Sequence, residues 1–239
     1  SLFFLVHPIQ TQAVNFIWQR LVGLTAFFYL GAIVLYAYAR ITSRFYAYGG
    51  ALFATALGMF CKEIAVTVPF AILLYEFFFF GPLKKDFQKR CFFIFPFLVT
   101  LVIVPLTLQT ASDHVAMKIM KPSSGGVSFR ETLLRMTKGY PSGGYSRKEY
   151  LLTQANVLRT YLRLLFLPLR QNLDYDYPIA RNATEPRTLF SIVFLLLIFL
   201  SALILFQKQR LLAFGVFWFF LTLSLESVVI LSDVIFEHR

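Results

Sequence analysis

The residues best suited to chemistry in this sequence are a few ionisable side chains beside long apolar runs. Lys62 and Glu63 stand together between two such runs, and Arg20 lies in the apolar stretch FIWQRLVGL. Charges beside or inside a bilayer are costly and persist mostly where they have a function. A cation there can bind a phosphate, and a neighbouring carboxylate can orient it. The simpler alternative is that Lys62 and Glu63 cap two helices while Arg20 snorkels to the interface.

Two further groups of polar residues could take part in such a site. His7 precedes Pro8 and either ends a helix or contacts a phosphate or an acceptor. Asp174 and Asp176 could hold a metal or act as acid and base.

Three more ionisable groups lie at or near the ends of apolar runs. Glu237, His238 and Arg239 form a dense triplet at the end of the sequence. Glu226 lies inside the last apolar run and needs a partner there. Glu76 lies near the opposite end of its own run, so we interpret it as structural.

The composition is that of a membrane protein. The chain has 239 residues, of which 58% are hydrophobic and 15% charged, and its mean hydropathy is +0.67. Soluble domains are about 45–50% apolar. The net charge of +11 therefore indicates topology and anionic lipid rather than nucleic acid, because no basic stretch interleaved with aromatics forms a soluble surface. We predict no metal site from cysteine or histidine spacing, and the metal requirement stays open.

Continuous apolar runs predict an all-α polytopic membrane protein with about six full spans. Barrel strands would be about half as long and would alternate in polarity. The predicted spans are Leu21–Ala39, Phe45–Phe60, Ile64–Phe80, Cys91–Gln109, Thr188–Phe206 and Leu211–Leu231. The opening SLFFLV is expected to end a further helix that the sequence does not contain in full.

Basic residues in the short loops predict which side faces the cytoplasm. Three of these loops alternate correctly to lie on one side, which the positive-inside rule makes cytoplasmic. They carry Arg40 and Arg44, then Lys84, Lys85, Lys89 and Arg90, then Lys208 and Arg210. The opposite, outer face then holds HPIQTQ, the turn with Lys62 and Glu63, and the long stretch from about Thr110 to Arg187. This topology places Cys61 and Cys91 on opposite sides, which argues against a disulfide between them.

The chain divides into four predicted regions. Residues 1–109 form helices with outer turns, residues 110–150 form a polar outer loop, and residues 187–239 form two further spans with an outer end. In region 151–186, an interfacial helix precedes NLDYDYP and is stopped by Pro168. Its polar face holds Thr153, Asn156, Arg159, Thr160 and Arg163.

Several blocks resemble the membrane part of the transmembrane-and-tetratricopeptide-repeat family. They are HPIQTQAVNFIWQRLVGLTAFFYLGAIVLY, KEIAVTVPFAILLYE, NLDYDYP and DVIFEHR. That membrane part resembles the polyprenyl-phosphate-sugar-dependent glycosyltransferases of the C-type fold, which include the protein O-mannosyltransferases. The resemblance implies a helical bundle that moves a sugar, mannose being favoured, from a polyprenyl-phosphate donor to protein Ser/Thr hydroxyls at the outer or lumenal face.

The resemblance also indicates what lies outside the sequence. The family's acidic catalytic residue lies in an outer loop before this chain begins, and its repeats follow FEHR, so we expect the chain alone to be inactive. The available donor-phosphate ligands are Lys62, Arg239, Arg20 and Arg163. Orienting or acceptor-binding roles fall to His7, Glu63, Glu237, His238, Asp174 and Asp176. A bacterial inner membrane is favoured over the endoplasmic reticulum.

A different class of protein is compatible with the same spans. The helices could form a non-catalytic scaffold, or a transporter of a lipid-linked or anionic solute. Transporters favour broken helices with binding groups near the midplane. Prolines do interrupt the predicted helices, but the unusual charges gather at one face, which favours a site opening to that face.

Overall fold

A computed structural model describes residues 20–80, 87–106, 146–168, 177–225 and 227, with the backbone alone for residues 87–91. Within these ranges the chain is helical and has no strand. The all-α prediction is thus confirmed for the described residues. The chain forms two compact units. The first unit is Leu21–Leu133, and the second combines Ser1–Arg20 with Leu134–Arg239.

Two described helices are long and apolar enough to cross a membrane, Arg20–Thr42 (α1) and Pro186–Lys208 (α6). In the most apolar 18-residue stretch of each helix, only 28% and 11% of the residues are buried. The core helix of a soluble protein is mostly buried, whereas these helices expose large apolar side chains. The other apolar helices, Phe45–Cys61, Phe92–Leu106 and Arg210–Ser224, are shorter than a full span. The count of six spans therefore stays a prediction.

The helices of the first unit follow the predicted apolar runs. After α1 come α2 (Phe45–Cys61), a 3-10 helix (Glu63–Thr67), α3 (Val68–Phe79), α4 (Phe87–Val99) and a 3-10 turn (Thr100–Val102). Small residues on one side of α2 let its neighbours approach closely. They are Ala47, Ala51, Ala54 and Gly58, all buried. A Cβ at Gly58 would lie 3.4 Å from Ala65 Cβ and 3.5 Å from Phe28 Cβ.

The predicted third span begins with a 3-10 helix rather than an α-helix. Pro69 is the second residue of α3, and its ring would clash with the carbonyl of Ala65 in a continuous α-helix. The tighter 3-10 helix from Glu63 to Thr67 avoids that clash. A buried hydrogen bond of 3.0 Å between Tyr29 and Thr67 then attaches this segment to α1.

A buried ion pair joins α1 to α3. Glu76 is fully buried, and its Oε1 and Oε2 accept hydrogen bonds from Arg40 Nη2 at 2.5 Å and Arg40 Nε at 3.3 Å. The Tyr36 hydroxyl donates to Oε2 at 3.2 Å. The Arg40 guanidinium also lies 5.0 Å and 5.1 Å from the ring centroids of Phe80 and Phe93. These contacts satisfy a carboxylate that could not stay charged alone in an apolar setting.

The second unit contains α5 (Arg147–Phe166), α6 and α7 (Arg210–Ser224). A capping box starts α5, because the Ser146 backbone N–H donates to Glu149 Oε2 at 2.6 Å and Glu149 N donates to Ser146 Oγ at 3.3 Å. This helix thus begins four residues before the predicted region 151–186. It ends at Phe166, because Pro168 disfavours a helical backbone at Leu167.

A buried polar seam holds α5 against α6. Asn156 Nδ2 donates to Thr188 Oγ1 at 3.0 Å, and Ser191 Oγ lies 2.6 Å from Asn156 Oδ1. Thr153 Oγ1 accepts the backbone N–H of Ala180 at 2.9 Å. The polar face predicted for an interfacial helix is therefore partly buried. Thr153 and Asn156 on that face pack against other parts of the second unit.

Candidate anion-binding groove

The described part of the second unit contains a groove between α5 and the first three turns of α6. Its volume is about 590 Å³, within the usual range of small-ligand sites. Arg159 and Arg163 from α5 and Arg187 from α6 line it, together with Tyr177 and aromatic side chains that include Phe166, Phe190 and Phe194. The groove thus combines cationic groups, which can bind a phosphate, with apolar walls, which can contact a hydrocarbon chain.

Two features of the three arginines are unfavourable for an isolated helix, the spacing of Arg159 and Arg163 and the position of Arg187. Arg159 and Arg163 are four residues apart on α5, where like charges destabilise a helix by a few tenths of a kcal/mol. Arg187 is the second residue of α6, where the positive end of the helix dipole opposes a cation. An anion in the groove would relieve both repulsions.

Contacts inside the second unit fix two parts of the groove wall. The Arg159 guanidinium lies 5.6 Å from the Phe190 ring centroid, a cation–π contact between α5 and α6. Thr160 Oγ1 donates to the Asn156 carbonyl at 3.0 Å and lies 3.0 Å from the Tyr177 hydroxyl. These two contacts hold Tyr177 against α5.

Every charged residue lining this groove, within the described ranges, is an arginine. Guanidinium groups stay protonated at any physiological pH and bind phosphate oxygens in pairs. Three of them beside low-dielectric walls create a strong local attraction for an anion. The apolar rings can in turn contact the chain of a lipid-linked ligand.

Ordinary explanations cover one of the three arginines. Arg163 lies in the last turn of α5, where a cation stabilises the helix dipole. An arginine near a membrane surface can also simply bind bulk lipid phosphates. The helix dipole does not account for Arg187 at a helix N-terminus, and the contact of Arg159 with Phe190 places both groups in the wall of the groove.

The structure describes four of the predicted site residues. Arg163 lines the groove. Lys62 ends α2 and precedes the 3-10 helix that begins at Glu63, and both side chains are half-buried. Arg20 is the exposed first residue of α1. The remaining predicted site residues lie outside the described ranges: His7, Asp174, Asp176, Glu237, His238 and Arg239.

Two of the three groove arginines were not among the predicted site residues. Arg159 has the i, i+4 spacing to Arg163 that places both on one helix face. Arg187 follows Pro186 directly, at the start of the apolar run 188–206. Proline favours the first turn of a helix. Pro186 therefore predicts the start of a helix, and Arg187 is then a cation at the predicted outer end of that span.

Within the described ranges, no group of three or more His, Cys, Asp or Glu side chains could hold a metal ion. Comparison of the chain with family models, with curated proteins and with solved structures finds no match.

Proposed function

We propose that this chain is part of a multi-pass membrane glycosyltransferase. The enzyme moves a sugar, mannose being favoured, from a polyprenyl-phosphate donor to Ser/Thr hydroxyls of a protein at the outer or lumenal face. The observation that carries this proposal is the groove in which Arg159, Arg163 and Arg187 face aromatic walls. A bacterial inner membrane is the favoured location, with tetratricopeptide repeats in the parent protein.

The groove supplies the charge stabilisation that this reaction needs. In the transfer, a bond forms between the acceptor hydroxyl oxygen and the anomeric carbon while the bond from that carbon to the phosphate oxygen breaks. The leaving polyprenyl phosphate takes the electron pair, and the hydroxyl proton passes to a base. Fixed guanidinium groups stabilise the charge that develops on the leaving phosphate more than they stabilise the ground state.

The resemblance to the C-type glycosyltransferases supports the same reaction. Among the donor-phosphate ligands that it implies, Arg163 is the one that lines this groove. The second candidate function is a non-catalytic scaffold or a transporter of a lipid-linked or anionic solute. The arginine groove would serve a transporter equally well as far as binding is concerned, so turnover must separate the transferase from the transporter. A scaffold does not need the groove.

The deciding experiment uses the full-length parent protein, purified in lipid. It receives labelled polyprenyl-phosphate mannose and a Ser/Thr-rich acceptor peptide. Arg187→Gln removes a groove charge, and Arg181→Gln is the matched control, because Arg181 is exposed in the same unit and does not line the groove.

We expect label in the peptide with the parent and with Arg181→Gln, and at least about tenfold less with Arg187→Gln. Absence of label with mannose and other lipid-linked sugars, from a protein shown to be folded, would exclude the transferase. Uptake of a lipid-linked or anionic solute into reconstituted vesicles would then identify the transporter. If neither occurs and groove substitutions are harmless, a scaffold remains.

A further inference from the structure

A second cationic pocket lies within the first unit, at the end of α1 and the beginning of α2. Its volume is about 260 Å³. Arg40 and Arg44 line it with Ser43, Phe45, Tyr48 and Phe93. This pocket is separate in sequence from the groove of the second unit, and its interpretation does not rest on the proposed transferase function.

The two arginines leave the pocket with a net positive charge. Glu76 binds Arg40 through two of its N–H groups, and a guanidinium has five. Arg44 is exposed, and its guanidinium lies 5.9 Å from the Tyr46 ring centroid. One carboxylate therefore opposes two guanidinium groups, and the other residues that line the pocket are uncharged.

The orientation of Arg40 is fixed before any ligand binds. Its guanidinium contacts Glu76 on one side and lies 5.0 Å from the Phe80 ring centroid and 5.1 Å from that of Phe93. Tyr48 attaches α2 to Phe93, because its hydroxyl donates to the Phe93 carbonyl at 2.7 Å. Such preorganisation lowers the entropy cost of binding.

The turn that brings the arginines together carries backbone strain. Ser43 has a φ of 56°, a left-handed conformation that is uncommon for residues other than glycine. It separates α1, which ends at Thr42, from α2, which begins at Phe45. The strained turn sets Arg40 and Arg44 on different elements around one pocket, and strain of this kind is concentrated at functional sites.

We propose that this pocket binds the phosphate head group of an anionic membrane lipid. The short loop that contains Arg40 and Arg44 is one of those whose charge predicts the cytoplasmic side. Anionic lipids are enriched in that leaflet, and basic pockets between helices bind their head groups there. Exposed Phe45, with Tyr48 and Phe93, offers an apolar surface to the glycerol and acyl part.

The test measures lipid binding to the purified full chain in detergent by native mass spectrometry. The probes are short-chain phosphatidylglycerol, phosphatidylcholine with the same chains, and inorganic phosphate. Arg44→Gln removes one charge and leaves the Arg40–Glu76 pair intact, so the fold should persist, as circular dichroism can verify. Arg210→Gln is the control, since Arg210 is the exposed first residue of α7 and does not line the pocket.

We expect phosphatidylglycerol to bind at least about tenfold more tightly than phosphatidylcholine, and Arg44→Gln to remove that preference while Arg210→Gln keeps it. Ser43→Gly should also keep it, because glycine adopts the same backbone conformation freely. Equal binding of the two lipids, or an undiminished preference in folded Arg44→Gln, would overturn the proposal. Inorganic phosphate that binds as tightly as phosphatidylglycerol would overturn the assignment to a lipid.

Discussion

Arg40 Nη2 lies 2.5 Å from Glu76 Oε1, although the two residues are 36 positions apart in the chain. Glu76 is fully buried, whereas Arg40 retains 21% of its side-chain exposure. The pair therefore fixes α1 against α3 while the partly exposed Arg40 side chain also lines the pocket beside Arg44. Glu76 thus has a structural contact, as its position in the sequence suggested, and its partner is Arg40.

Removing one member of this pair should destabilise the first unit. Arg40→Gln leaves the Glu76 carboxylate buried without its cation, and we expect the free energy of unfolding to fall by about 3–5 kcal/mol. Chemical denaturation in detergent micelles measures the change. The double variant Arg40→Leu with Glu76→Leu should lose clearly less, because no charge stays uncompensated. An equal loss in both variants would contradict this account.

The amide of Asn156 should stabilise the contact between α5 and α6. Asn156→Ala removes the partner of Thr188 Oγ1 and Ser191 Oγ, both in buried residues. We expect a loss of about 1–3 kcal/mol in the free energy of unfolding. Asn182→Ala is the control, because Asn182 is exposed and its substitution should change stability by less than about 0.5 kcal/mol. Similar values for the two variants would argue against a structural seam.

The capping box of α5 should make stability depend on acid pH. Hydrogen bonds from the Ser146 backbone N–H and side chain hold the pKa of Glu149 below its ordinary value of 4.5. A carboxyl group whose pKa is lower in the folded than in the unfolded state stabilises the fold at any pH above its unfolded pKa. This stabilisation is lost as the pH falls through the folded-state pKa. Glu149→Gln keeps the hydrogen-bonding pattern without the charge.

We therefore expect the difference in stability between wild type and Glu149→Gln to be largest above the ordinary glutamate pKa of 4.5. The difference should shrink as the pH falls through the lowered pKa of the folded state. Thermal unfolding at several pH values, monitored by circular dichroism, gives that difference. A gap that widens on acidification would have the wrong sign for this mechanism.

Arg187 should contribute to ligand affinity and not to the stability of the fold. A cation in the first turn of a helix opposes the dipole by about 0.3–1 kcal/mol, so Arg187→Gln should leave stability unchanged or slightly higher. We expect the same variant to lower affinity for polyprenyl phosphate at least about tenfold. Arg187→Lys should lose less, because it keeps the charge but not the paired N–H groups. A destabilised Arg187→Gln with normal affinity would indicate a purely structural arginine.

Lys62 should affect transfer without affecting the fold. The backbone N–H of Lys62 donates to the Gly58 carbonyl at 3.2 Å, and its carbonyl accepts from Ala65 N at 3.2 Å. Alanine keeps both bonds. We expect Lys62→Ala to lower sugar transfer by the full-length parent strongly, with the amount of folded protein unchanged. Unchanged transfer would remove Lys62 from the donor site.

The positions of most elements could be predicted from the sequence because they depend on local features. Apolar runs predicted the helices from Arg20 to Cys61 and from Pro186 to Ser224 to within a few residues, apart from the last run, whose end lies outside the described residues. Pro168 predicted the end of α5. The 3-10 helix at the start of the third run was not predicted. In a continuous α-helix the ring of Pro69 would clash with the carbonyl of Ala65, four residues earlier, and a 3-10 helix avoids this clash.

The sequence by itself determined that the chain is apolar, helical and punctuated by charges, since composition and periodicity need no tertiary contacts. It placed Arg163 on a polar helix face but could not say that Thr153 and Asn156 on that face are buried. Only tertiary structure decided which charges meet. Arg187 joins Arg159 and Arg163, and Glu76 meets Arg40, because helices distant in the chain pack side by side, and no local pattern records which faces they share.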